Sequence, residues 1–230
     1  MSNLQQRIEK IEYDIQDVCT RIGRERSEIT VVAVTKEVSA ARASAMIDAG
    51  FDHLGENRPE VLLDKQETIQ SGATWHFIGN VQSRKVKDII HQIDYLHSVD
   101  RMSLAKEIQK RADHVIDCFV QVNVSGEESK SGVTPAELNS FIEQVAAYDK
   151  VRVVGLMTMA PFTEDMELIR SVFRSLRELR DGIAAKELSH APCTQLSMGM
   201  SNDFIIAIEE GATHVRIGTA LVGAESGEDA

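Results

Sequence analysis

The chain has 230 residues, 36 acidic and 25 basic, for a formal net charge of −11. An acidic surface repels phosphate backbones, which argues against nucleic acid as a partner. At 43% hydrophobic and 27% charged, with no apolar run near the roughly 18 residues of a membrane span, the composition suits a soluble globular protein without a membrane partner. The polar start, MSNLQQRIEK, does not resemble a signal segment. Cys19, Cys118 and Cys193 are widely spaced with no CxxC, so disulfides and a zinc site are not expected and a reducing, cytoplasmic compartment fits.

Leu4, Ile8, Ile11, Ile15, Val18 and Ile22 form one apolar stripe on a helix that Gly23 stops. Docking on a larger core is the expected use of that stripe; a weak dimer through it is the alternative to the expected monomer. Short apolar runs then alternate with helical patterns. The runs are ITVVAV (29–34), FDHLG (51–55), TWHFIG (74–79), IDYLHSV (93–99), VIDCFVQV (115–122), VRVVGLM (151–157), CTQLSM (193–198) and THVRIG (213–218). Helix ends are marked by Asp100 before a helix from Arg101 and by the Thr134–Glu137 capping box with Pro135 at the first helical position. An apolar face runs from Met166 to Ile183, and Gly50 and Gly211 each close a helix three residues before a strand histidine.

Eight strand–helix units predict parallel strands with right-handed crossovers, hence an α/β fold: a single (β/α)8 TIM-type barrel with an additional N-terminal helix standing where a final helix is missing. One domain over 1–224 and a loose tail over 225–230 are expected.

The C-terminal ends of barrel strands carry chemistry. There the sequence places Lys36, Asn57, Asn80, Ser98, Asn123, Met157, the SMGMS segment (197–201) and RIGT (216–219). Ser201 stands before a helix through Ile208, and a helix start offers free N–H groups to an anion. Gly218 permits close backbone approach and Thr219 adds a hydroxyl, after strands 7 and 8 where barrel phosphate sites commonly lie. Lys36 facing such a site is placed to form a Schiff base, since desolvation favours an amine's neutral, nucleophilic form. An aldose phosphate and pyridoxal phosphate both fit. Arg216 shares a strand face with Gly218, and a guanidinium beside a pyridine nitrogen would keep it unprotonated, which favours the second.

AVTK, GEN (55–57), WHFIGNVQSRK (75–85), SKSG (129–132), GLM (155–157), SMGMS and RIGTALVG (216–223) occur in the order found in the pyridoxal phosphate homeostasis proteins, the YggS or PROSC family, which the chain resembles from about residue 4 to residue 224. The resemblance implies a barrel like the N-terminal domain of alanine racemase, with pyridoxal 5'-phosphate as cofactor. Its aldehyde would form an aldimine with Lys36. Its phosphate would be held by Ser201, Gly218 and Thr219, with Arg216 at the pyridine nitrogen and Asn57 and His76 nearby. GNVQSRK departs from a GPLQSNK-like string common in relatives, at Asn80 and Arg84.

A two-base racemase of this type also needs a tyrosine delivered from a further domain. The sequence closes soon after the eighth strand, and Tyr13, Tyr95 and Tyr148 do not fall at C-terminal strand ends. The expectation is therefore a cofactor carrier in vitamin B6 and amino-acid homeostasis, without robust catalysis and with no firm catalytic residue. Pyridoxal-phosphate-dependent apoenzymes are the protein partners considered. A cofactor-dependent enzyme acting on an amino acid, with Lys36 as base and His76 or Lys130 as second group, is the alternative.

Overall fold

Every one of the eight apolar runs becomes a strand, because a barrel strand packs helices on its outer face and other strands' side chains on its inner one. A computed structural model describes residues 3–70, 72–127 and 130–223. Its strands are β1 (Thr30–Val34), β2 (His53–Glu56), β3 (Thr74–Phe77), β4 (Tyr95–Val99), β5 (Ile116–Gln121), β6 (Val151–Met157), β7 (Gln195–Ser197) and β8 (His214–Ile217). They pair in parallel in chain order, and β1 closes on β8 with Thr30 opposite His214. The tail expected over 225–230 lies outside the described residues.

The helices are α1 (Asn3–Ile22), α2 (Ala40–Asp48), α3 (Pro59–Thr68), α4 (Val86–Ile89), α5 (Met102–Arg111), α6 (Leu138–Val145), α7 (Met166–Ala184) and α8 (Phe204–Glu209). α1 precedes β1 and packs on α8, so it fills the ring position that would follow β8. Its stripe is spent in cis: Ile8, Ile11, Ile15 and Val18 belong to the core between strands and helices. Arg24 fastens this arrangement by donating to the carbonyls of Ile208 and Ala212. None of the described helices is long and apolar enough to cross a membrane.

Helix ends follow local chemistry, with three departures from expectation. Thr134 and Glu137 exchange their side-chain bonds, but Pro135 lies in the turn they close, Glu137 takes the N-cap position and α6 begins at Leu138; Asp165 caps α7 by accepting from the amides of Glu167 and Leu168. Asp100, however, caps nothing: it pairs with Arg101 at 2.5 Å, Arg101 takes the N-cap position, and α5 begins at Met102. Ser201 does not head α8 either, because Asp203 holds that N-cap position. Gly199 lies at φ +93°, and an added Cβ would stand 2.5 Å from that of Ala207, so the turn between β7 and α8 requires glycine there.

The barrel interior departs from the usual filling of branched aliphatic side chains. Its apolar part is small: Phe119, Val154 and Met157, with Tyr95 against them. His53, His76, His97, Ser197, His214 and Arg216 alternate along their strands with residues of the outer core such as Leu54, Trp75, Phe77, Leu96, Leu196 and Val215, so they point inward.

Candidate functional site

Lys36 lies two residues beyond β1 and is half-buried. Its backbone is held by its neighbours. Thr35 donates its hydroxyl to Glu56 Oε1 at 2.6 Å, and the Thr35 carbonyl accepts from Lys65 Nζ at 2.5 Å. Lys65 Nζ also pairs with Glu56 Oε1 at 2.6 Å; the two side chains are 2% and 0% exposed. A buried ion pair of this kind fixes geometry more than it adds stability, and here it fixes the turn that presents Lys36. Arg58 Nη2 reaches the Lys36 carbonyl at 3.5 Å. No hydrogen bond or ion pair engages Lys36 Nζ among the described residues.

Asn57 follows Glu56 and is half-buried, and its Oδ1 is buried with no hydrogen-bond partner. Its backbone packs so closely on Gly79 that a Cβ there would stand 2.5 Å from the Asn57 carbonyl oxygen. Gln121, at the end of β5, donates to the Ser131 carbonyl at 2.9 Å while its Oε1, also buried, is unpartnered. Two orphaned acceptors at strand ends on one face mark polar capacity that internal packing does not use.

The loops after β7 and β8 meet through Ser201, whose Oγ accepts from the Ala220 amide at 3.4 Å. Between them stands Gly218, outside the left-handed region of φ. A Cβ added there would meet nothing nearer than Val34 Cβ at 3.6 Å, so the fold itself does not demand glycine at 218. Thr219 is exposed, and its carbonyl is held by Arg7 Nη1 of α1 at 3.0 Å. The N-terminal helix thereby braces this loop.

Arg216 is 5% exposed and donates from Nη1 to Ser197 Oγ at 2.5 Å and from Nη2 to the Thr158 carbonyl at 3.1 Å. Burial pulls its pKa down to about 10, with Asp203 opposing, so the guanidinium is still cationic at neutral pH. Burial in turn raises the carboxyl pKa of Asp203, which accepts from the Met200 amide.

His76 sits deeper. It is fully buried in the barrel, stacked on Tyr95 with ring centroids 4.5 Å apart, and both ring nitrogens are engaged: Nδ1 with His97 Nε2 and Nε2 with His53 Nδ1, each at 2.8 Å. Desolvation holds the pKa of His76 and of His97 well below the ordinary imidazole value, and the neighbouring histidines push the same way. Of the other strand-end residues, Ser98 donates to the Gly79 carbonyl and Asn123 is spent on its own loop, bonding the Glu127 carbonyl and the Gly126 amide. Lys130 is paired with Glu127, and Arg84 bonds Gln82.

Sequence reasoning missed Thr35, Lys65, Thr158 and Asp203, and it named His76 without its links to His53 and His97. The signals were present: Lys65 stands one turn after Leu62 on the buried face of α3, and His53, His76 and His97 occupy inward positions of three successive strands.

Residues 7–226 match the family described as alanine racemase, N-terminal domain. The chain is 42% identical to the pyridoxal phosphate homeostasis protein of Aquifex aeolicus, an alignment spanning 96% of this chain and 98% of that one. It is 35% identical to the protein of the same name from Escherichia coli K12, over 97% of each chain. Among solved structures, PipY of Synechococcus elongatus with PLP bound superposes with a TM-score of 0.79 at 28% identity, covering 91% of this chain and all of that one.

Proposed function

The chain belongs to the pyridoxal phosphate homeostasis protein family, and we propose that it binds pyridoxal 5'-phosphate at the C-terminal face of its barrel and serves as a carrier in vitamin B6 and amino-acid homeostasis. The observation that carries this reading is Gly218, a glycine required by neither backbone conformation nor neighbouring atoms, in a loop tied to Ser201. Such a residue fits a ligand whose phosphate approaches the backbone closely. The bound cofactor supplies an aldehyde able to condense reversibly with an amine.

In this reading Lys36 presents that amine, and Ser201, Gly218 and Thr219 hold the phosphate. Arg216, a donor with no lone pair to offer, faces the pyridine nitrogen and disfavours its protonation. The unsatisfied Oδ1 of Asn57 is available to a polar group of the ligand. His76 stands behind these residues and acts through others. The described tyrosines fit a carrier: Tyr13 is 70% exposed on α1, Tyr95 lies inside the barrel, and Tyr148 is partly buried in the core outside it, so none stands over Lys36 as a second base. A cytoplasmic location, a monomeric state and transfer to cofactor-dependent apoenzymes complete the proposal.

Titration with pyridoxal phosphate, followed by visible absorption, tests it. The wild-type protein is expected to develop a lysine-linked absorption band that Lys36→Ala abolishes while retaining weaker phosphate-dependent binding. Racemase, transaminase or decarboxylase turnover above that of free cofactor would overturn the carrier role.

A further inference from the structure

A continuous row of hydrogen bonds runs through the barrel from the Arg216 site to the opposite mouth. Arg216 Nη1 donates to Ser197 Oγ at 2.5 Å; Ser197 Oγ meets His97 Nδ1, His97 Nε2 meets His76 Nδ1, and His76 Nε2 meets His53 Nδ1, each at 2.8 Å. His53 is the first residue of β2, at the N-terminal end of the barrel, and is half-buried. The rings are held in register by packing: Tyr95 stacks on His76 at 4.5 Å, and Phe119 on His97 at 4.4 Å.

Proton counting constrains this row. A neutral imidazole has one N–H and one acceptor nitrogen, so each of the three rings donates on one side and accepts on the other. Each link holds a single proton. The three rings therefore share one direction, either all Nε2–H, pointing away from Arg216, or all Nδ1–H, pointing towards it. The guanidinium decides between them. It occupies a lone pair of Ser197 Oγ and favours lone pairs aimed at itself, so Ser197 donates to His97 and all three rings carry the proton on Nε2.

We propose that His53, His76, His97 and Ser197 form a directional proton relay that makes the hydrogen-bonding state of Ser197, the acceptor of Arg216 Nη1, depend on protonation of His53 at the N-terminal mouth of the barrel. In the resting direction His53 Nδ1 accepts from His76, so no ring has a free lone pair inside the row. When His53 becomes doubly protonated, its Nδ1 carries the proton that His76 Nε2 held and donates it back to His76. His76 Nδ1 takes the His97 Nε2 proton, His97 Nδ1 takes the Ser197 hydroxyl proton and donates to Ser197 Oγ, and the Ser197 oxygen takes the added proton from water, with its O–H turned away from His97. One proton is gained, two rings exchange tautomer, and the donor reaching Ser197 beside Arg216 is changed.

The surrounding charges suit this. Burial lowers the pKa of His53, and Asp52 and Asp94 at the entry oppose that shift. Burial, with His214 and His53, acts against charge on His76, and burial, with His76, Arg216 and His214, against charge on His97, which keeps the added charge at the rim. Tyr95 stays a neutral phenol, its pKa raised by burial and by Asp117, which is itself neutralised by Arg152 at 2.6 Å. Asp203 balances Arg216 from the α8 side.

The relay is a property of the chain alone; only its consequence for the cofactor rests on the function proposed above. The test is long-range proton–nitrogen NMR on histidine-labelled protein without cofactor. The expected result at pH 8 is a proton on Nε2 of His53, His76 and His97. On acidification a single midpoint should move His53 to the doubly protonated state and His76 and His97 to the opposite tautomer. His53→Gln should leave His76 and His97 unresponsive over the same range, and His53→Phe gives the same comparison if that variant folds poorly. Mixed tautomers among the three rings at pH 8, or a titration of His53 that leaves the nitrogens of His76 and His97 unmoved, would overturn the relay. An absent visible band with pyridoxal phosphate would overturn the proposed function and leave this result standing.

Discussion

Burying neutral imidazoles makes stability depend on pH, and His214 allows the size of the effect to be worked out. His214 is 5% exposed, lies edge-on to Phe119 with ring centroids 5.2 Å apart, and burial lowers its pKa from 6.5 to about 3. Above pH 6.5 neither the folded nor the unfolded chain protonates it, and its contribution is complete. Below pH 6.5 the unfolded chain takes up a proton that the folded chain refuses, so stability falls as pH drops, down to about pH 3. At pH 5 the loss from this residue is about 2 kcal/mol, from 1.36 kcal/mol per unit over about 1.5 units. His76 and His97 shift in the same direction and add to it. Urea unfolding followed by circular dichroism at pH 7.5 and pH 5.0 measures the difference. His214→Gln should reduce the wild-type loss between those pH values by about 2 kcal/mol with the urea dependence unchanged. A variant that loses stability with acid as steeply as the wild type would refute the assignment of the lowered pKa to this ring.

Gly218→Ala separates folding from binding. The chain has room for the methyl group, so stability should hold or rise by about 0.4–1 kcal/mol, read by thermal unfolding, while affinity for pyridoxal phosphate falls about tenfold or more. Lys65→Met leaves Glu56 charged and unpaired in the core and should cost about 3–5 kcal/mol in urea unfolding, much of it recovered by adding Glu56→Gln. Cys19, Cys118 and Cys193 are free and buried, and burial raises their thiol pKa values, that of Cys193 to about 12. A thiol-reactive chromogen at pH 8 should label none of the three rapidly in the folded protein and all three in urea.

The outer half of this fold is legible in the sequence because burial there falls almost wholly on apolar residues, the Lys65–Glu56 pair excepted. The eight runs mark the strands, and the stripe on α1 and the face of α7 mark where helices lie. Loop residues of the site are legible for a related reason: Lys36, Ser201, Gly218 and Thr219 sit just beyond strand ends, where polar types stand out against the apolar run before them. The inner face is harder to read. His53, His76, His97 and His214 stand within runs that look apolar, and what they do depends on neighbours in other strands, as His97 and Ser197 show across 100 residues of sequence. Lys65 reads as an exposed helix charge until Glu56 and Thr35 are brought beside it. Asp100 and Ser201 illustrate the opposite error, since each is a good capping type whose neighbour took the position.

Borohydride reduction of the protein with pyridoxal phosphate, followed by peptide mass mapping, tests the central claim most directly. A single reduced pyridoxyl group on Lys36 is the predicted result. Label spread over surface lysines with Lys36 unmodified would contradict it, and would leave the loops at Ser201 and Gly218 as turns of the fold rather than a cofactor site.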